Sequence, residues 1–150
     1  MHEYINTDLN PIDIDSVPWL YERKLKSMYC GNGKWMLFYE KKLFNKKWNI
    51  ATKLFRQNKL KNIISMKCST NCYNPRASSP NEGVIILYCD TDNKFDIINA
   101  GNNILKLFNY DKTMYYKTNK QTREGTIATG SIKNYTYYLK PKCNFIDDSD

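Results

Sequence analysis

Apolar residues in this chain gather into short runs and helical stripes, and the changes of period between them mark out the elements. Lys34-Trp35-Met36-Leu37-Phe38-Tyr39 is too apolar for simple alternation and predicts a buried, central strand. Over residues 46–60 the spacing turns helical. Trp48, Ala51, Leu54 and Phe55 fall on one face, and Lys46, Lys47, Lys53, Arg56 and Lys59 fall elsewhere. Ile63 to Thr70 predicts a second strand carrying Lys67, and Gly83 to Cys89 is the clearest strand of all. Asp90-Thr91-Asp92 is a natural N-cap cluster for a helix over 92–109. In that helix Ile97, Ile98, Gly101, Ile104, Leu105 and Phe108 recur on one face, with Gly101 permitting close approach to a sheet. Met114 to Thr118, carrying Lys117, reads as a further strand, and Thr126–Thr129 with Tyr135–Lys140 as a closing hairpin.

Breaks fall between these elements. Gly31-Asn32-Gly33 is a turn, residues 71–82 form a loop containing Arg76, and residues 119–125 form a turn containing Arg123. Ser16 ahead of Pro18 is a helix-start signal, so a short helix is expected over 18–27, with Trp19, Leu20 and Arg23 near one face. Residues 1–17 read as an irregular acidic arm, 18–143 as a single α+β domain, and 144–150 as an acidic tail. The order of strands and helices predicts an antiparallel or mixed curved sheet with helices packed on one face.

Composition changes this picture mainly through charge. The 150 residues include 23 Lys plus Arg against 15 Asp plus Glu, a net charge of +8, which attracts polyanions at long range. Nucleic acids, nucleotides and phosphoproteins all fit, as does a generic basic surface. No run approaches the roughly 18–20 apolar residues of a membrane span, and Met1-His2-Glu3-Tyr4 lacks the basic and apolar regions of a signal peptide. A cytoplasmic protein, or one that is nuclear by diffusion, is expected. Cys30, Cys68, Cys72, Cys89 and Cys143 are odd in number and irregular in spacing, and the sole histidine is His2. Reduced, mostly buried thiols are expected, with no metal site and no cofactor.

Cations recur at comparable places. Lys34 opens the first strand, Lys67 and Lys117 lie within strands, and Arg76 and Arg123 lie in loops beside them. A buried ammonium is costly without a partner, and phosphate is one partner that suits it. The plainer reading is that each lysine faces solvent on alternate strand positions. Trp35 and Trp48 fit core positions, whereas Trp19 and the Tyr115-Tyr116 pair are freer to stack on a base. Gly31-Asn32-Gly33-Lys34 precedes a strand, so it lacks the helix N-terminus of a phosphate loop. With no histidine in the folded body, an enzyme would need Lys67, Lys117, a tyrosine or a carboxylate as its acid or base.

An ordered set of motifs resembles the basophilic-leukemia-expressed-protein family. It runs from Pro18-Trp19-Leu20 through Gly33-Lys34-Trp35-Met36-Leu37-Phe38, Trp48, Met66-Lys67-Cys68-Ser69-Thr70 and the strand Gly83 to Cys89 with Asp92 after it. It ends with Tyr116-Lys117-Thr118 and Thr122-Arg123-Glu124-Gly125, so that residues 18–126 are covered. The resemblance implies the fold of the cap-binding translation initiation factors, a curved antiparallel sheet with helices on its convex back. A fainter likeness is to bacterial phosphothreonine lyases. It implies Lys34, Lys67, Arg76 and Lys117 as phosphate contacts, with Lys67 as the proton-abstracting base. The lyase pattern has a histidine acid two residues after the first lysine, where this chain has Met36.

The functional expectation is a binder of a phosphorylated ligand: a nucleotide, an RNA 5′ end or a cap-like group. Lys34, Lys67, Arg76, Lys117 and Arg123 would contact phosphate, and Trp19 and Tyr116 are candidates for stacking. The alternatives are a lysine-based enzyme acting on a phosphorylated substrate, and a basic surface that binds an acidic protein without a pocket.

Overall fold

A computed structural model describes residues 9–23, 33–73, 81–121 and 135–141. The strands are β1 (Trp19–Arg23), β2 (Gly33–Glu40), β3 (Ile63–Ser69), β4 (Glu82–Cys89), β5 (Met114–Thr118) and β6 (Tyr137–Leu139). The helices are α1 (Lys41–Arg56) and α2 (Lys94–Phe108), with a 3-10 turn at Pro11–Asp13. The six strands form one curved sheet in the order β1-β3-β4-β2-β5-β6, every recorded pairing is antiparallel, and the helices pack on one face. None of the described helices is long and apolar enough to cross a membrane.

β2 is central, as its apolar run implies. It pairs with β4 along its whole length and with β5 from Gly33 to Met36. Once placed, it does alternate: Trp35, Leu37 and Tyr39 enter the core, while Lys34, Met36 and Phe38 take the other face. β3 carries a bulge at Ile63–Ser65, which turns Ile63 into the core although it is out of phase with Met66 and Cys68.

The expected helix over 18–27 is overturned where it is described, because Trp19–Arg23 is an edge strand. Trp19 pairs with Ser69 and Arg23 with Ser65. Leu20 and Glu22 point to the core and Trp19, Tyr21 and Arg23 point away, so the period is two. The Ser-Pro signal is local, and pairing with the backbone of β3 outweighs it. Glu22, only 1% exposed, meets the Arg56 guanidinium at 3.4 Å.

Helix α1 begins five residues before the expected 46 and ends four before 60. Its first turn holds Lys41 and Lys42, which oppose the helix dipole, and no side chain caps it. The Lys41 N–H donates instead to the Asn81 carbonyl at 2.9 Å, a contact invisible in sequence. Phe44, Trp48, Ala51, Thr52 and Phe55 form the buried stripe, and Asn58, with φ 59°, takes the left-handed conformation just beyond the helix end.

Helix α2 matches its expected span within two residues at each end. Its cap is Asn93, whose side chain accepts the Asp96 N–H at 3.1 Å, one residue beyond the Asp90-Thr91-Asp92 cluster. Ile97, Ala100, Gly101, Ile104 and Phe108 face the sheet. The Trp35 indole N–H donates to the Ile97 carbonyl at 3.0 Å and ties α2 to the central strand. Of the closing hairpin, the second half is β6, paired with β5, while Thr126–Thr129 lie outside the described residues. Cys68 and Cys89 are buried thiols and Cys72 is half-buried; burial drives Cys89 up to about 12 and Cys68 well above its ordinary range. Cys30 and Cys143 lie outside the described residues.

Gly101 provides a test of the packing. A methyl group there would lie 2.5 Å from the Trp35 ring and 2.6 Å from Leu139. An ordinary mid-helix Gly→Ala change stabilises by up to ~1 kcal/mol. Gly101→Ala is expected to destabilise by about 1–3 kcal/mol through overpacking, read as a lower urea midpoint with an unchanged slope.

Candidate phosphate site on the open face of the sheet

Pleating sends alternate residues of every strand to the face away from the helices. In the centre of that face, register places Arg23, Ser65, Tyr88, Lys34 and Lys117 along one rung. The next rung holds Tyr21, Lys67, Ile86, Met36, Tyr115 and Tyr138. None of these positions is acidic. Glu40 and Glu82 share the face only at the far ends of β2 and β4, opposite one another.

Three of the five residues expected to contact phosphate are thereby brought together. Lys34 and Lys117 are directly paired across β2 and β5, and Lys67 stands one rung away across β4. Lys34 is 5% exposed; its ammonium lies 5.7 Å from the Tyr88 ring centroid and donates to the Asn119 side-chain oxygen at 3.4 Å. Burial, and then the charges of Lys67 and Lys117, lower its pKa to about 8. Burial also lowers the pKa of Lys117. The Lys67 ammonium sits 4.1 Å from the centroid of Trp19 and 6.0 Å from that of Tyr21. The other two residues, Arg76 and Arg123, lie outside the described residues.

The stacking candidates separate. Trp19 is on the open face and half-buried, with one side of its ring taken by Lys67. Tyr116 is a correction: it is 1% exposed, points to the helix side, and meets Trp35 edge-on at 5.3 Å. Strand alternation is the reason, since Met114 and Tyr116 enter the core and Tyr115 and Lys117 do not. Met36, in the place of the lyase-type histidine, shares the open face with Lys34, and a thioether cannot donate a proton there.

Phe38 and Tyr135, which were not singled out, complete the face beside Met36, Tyr115 and Lys117. The β2–β5 ladder ends at Met36 and Tyr115. Beyond it, the Phe38 N–H donates to the Tyr110 hydroxyl at 2.9 Å, and Lys112 donates to the Phe38 carbonyl at 3.1 Å. A cleft of about 320 Å³ lies here, lined by Met36, Phe38, Tyr115, Lys117 and Tyr135. Tyr115 meets Tyr135 edge-on at 4.9 Å and Tyr138 at 6.3 Å. The signal for Phe38 is its parity with Lys34 on β2, readable once Lys34 is known to face outward; Tyr135, outside the strands, carries no such signal.

No protein-family model matches the chain, and no curated protein sequence matches it. Solved structures do. Schistosome eIF4E complexed with m7GpppA and 4E-BP is similar over 87% of this chain and 75% of that one, at 15% identity and a TM-score of 0.62. Schistosome eIF4E complexed with m7GpppG and 4E-BP aligns over the same shares at 15% identity, with a TM-score of 0.59. Ascaris suum eIF4E-3 with m7G cap is similar over 83% of this chain and 68% of that one, at 12% identity and a TM-score of 0.55. At such identities the likeness is one of fold: the chain has the curved antiparallel sheet and one-sided helices of the eIF4E structures.

Proposed function

We propose that the open face binds the phosphate groups of a nucleotide or of a cap-like RNA 5′ end, with Lys34, Lys67 and Lys117 as contacts. The observation that carries this reading is the placement of Lys34, 5% exposed, on one sheet face with Lys117 directly opposite and Lys67 one rung away; burial and those two charges lower the Lys34 pKa. An ordinary solvated surface lysine does not pay such a cost, whereas a bound phosphate would offset it. Two further facts support the proposal: the net charge of +8, and a fold similar to that of eIF4E structures complexed with m7GpppA, m7GpppG and m7G cap. The motifs that resemble the basophilic-leukemia-expressed-protein family include Lys34, Lys67 and Lys117, so we extend the proposal to that resemblance.

Calorimetric titration of an m7GpppA cap analogue, GTP and a phosphothreonine peptide into the full chain tests the reading. Lys67→Ala and Lys34→Met are expected to weaken the best of these ligands by tenfold or more, since each removes a charge-assisted contact worth about 1.5–3 kcal/mol. Lys34→Met should also raise the melting temperature of the empty protein, because it relieves a buried like-charge cluster. Opposite signs in binding and stability separate a ligand site from a structural lysine. Equal affinities in wild type and both variants would leave only a basic surface for acidic proteins. Consumption of the phosphothreonine peptide would move the site to lysine-based elimination.

Affinity should also depend on pH. Lys34 has a folded pKa of about 8, below its ordinary 10.5, so the empty fold binds fewer protons than the unfolded chain between those values. Stability of the empty protein therefore gains from Lys34 as pH rises through that window. Phosphate requires the ammonium, so binding takes up a proton above pH 8, and affinity is expected to fall by up to about tenfold per pH unit from there. Titrations in buffers of different ionisation enthalpy would show this uptake; a flat profile from pH 7 to 10 would exclude Lys34 as a contact.

A further inference from the structure

We propose that the tyrosine cleft between β2, β5 and β6 is a nucleobase subsite, holding the base of a nucleotide whose phosphates lie on Lys117 and Lys34. The proposal rests on the lysine cluster being a phosphate site, and it adds where the remainder of the ligand goes and what chemical class it has.

The cleft and the lysine cluster are continuous. Lys117 lines the cleft and is the register partner of Lys34. The cleft is lined by the apolar Met36 and Phe38, the rings of Tyr115 and Tyr135, and the charged Lys117. Apolar and aromatic lining with one charged group is the composition expected of a ligand site. The rung of Met36 and Tyr115 is two residues along the strands from that of Lys34 and Lys117. That separation is roughly 7 Å along an antiparallel strand, which suits a flat base joined through a sugar to its phosphate.

The cleft arises from a break in the sheet. β5 stops pairing with β2 after Met36, and the Phe38 backbone is satisfied by Tyr110 and Lys112 instead. The gap is therefore a lined recess with its peptide groups at Phe38 already bonded. Tyr115 and Tyr138 remain 37% and 50% exposed, so ring surface is open to a ligand beside Tyr135. The other aromatic rings near the lysines are engaged by them or closed off: Trp19 and Tyr21 lie against the Lys67 ammonium, Tyr88 against that of Lys34, and Tyr116 is in the core. A base stacked on the tyrosines leaves the Lys67–Trp19 contact in place and sets the phosphates beside Lys117 and Lys34. Base–aromatic stacking needs only a π-face, so this subsite selects for a planar heterocycle over a bare phosphate or an aliphatic phosphoester.

GDP, pyrophosphate and guanosine titrated calorimetrically into the full chain test the subsite. GDP is expected to bind at least roughly tenfold tighter than pyrophosphate, in line with one stacked base. Tyr115→Leu keeps apolar volume on the sheet and removes the ring, so it should bring GDP down to the pyrophosphate level and leave pyrophosphate unchanged. Trp19→Leu should preserve the GDP-to-pyrophosphate ratio. Tyr135→Leu, checked for an unchanged melting temperature, takes the place of Tyr115→Leu if the latter fails to fold. A wild-type ratio near one would overturn the subsite. So would a ratio that survives loss of the tyrosine ring, or one that disappears with Trp19. Guanosine binding that depends on Tyr115 without any pyrophosphate binding would keep the cleft and refute the lysine site; absence of both GDP and guanosine binding would refute the cleft.

Discussion

The pleat of β2, locked on both sides, is the constraint on which the rest of this protein depends. One strand supplies the Trp35, Leu37 and Tyr39 side of the core and the Lys34, Met36 and Phe38 side of the open face. A slip of one residue would exchange Trp35 with Lys34 and put an ammonium under the helices. The register is held by full pairing with β4, by the bond from the Trp35 indole to Ile97, and by Gly101 lying against the same ring. Core packing therefore also fixes the positions of the candidate ligand groups, because both are read from alternate residues of one backbone.

Two kinds of positive charge coexist. On α1, the exposed Lys46 and Lys53 contribute to long-range attraction that salt screens within about 8–10 Å. Lys34 and Lys117 are different, because desolvation lowers their pKa values while Lys67 adds its charge nearby. Glu22 provides the contrast on the helix side, where a carboxylate as buried as any in the described core is matched by Arg56. Among the described residues, the two rungs that carry the lysines contain no carboxylate, which supports the anion site proposed there.

The cleft follows from the way the sheet ends. Central strands must satisfy every peptide group, and β2 does so with β5 only as far as Met36. Tyr110 and Lys112 take over at Phe38, from a segment between α2 and β5. Tyr115 of β5 and Tyr135, ahead of β6, line the recess beside this point.

Strong local periodicity made much of the fold legible in the sequence. The apolar run of β2 and the stripe of α2 depend on near neighbours along the chain, and the structure reproduces them; Gly101 in that stripe marks the close approach, though its partners Trp35 and Leu139 are distant. The three strand lysines were legible too, as charges in apolar surroundings. Other features required distant partners. Trp19–Arg23 becomes a strand only because β3 offers it an open edge, and α1 starts at Lys41 against its own dipole because Asn81 accepts its first N–H. Which of Tyr115 and Tyr116 faces outward depends on the register against β2, and a sequence read alone carries no face label. The convergence of Lys34, Lys67 and Lys117, and the recess beside them, arise from pairings between residues far apart in the chain, 83 positions in the case of Lys34 with Lys117. Local pattern decides the period of an element; only the hydrogen-bonded partners decide which way each side chain points and what it meets.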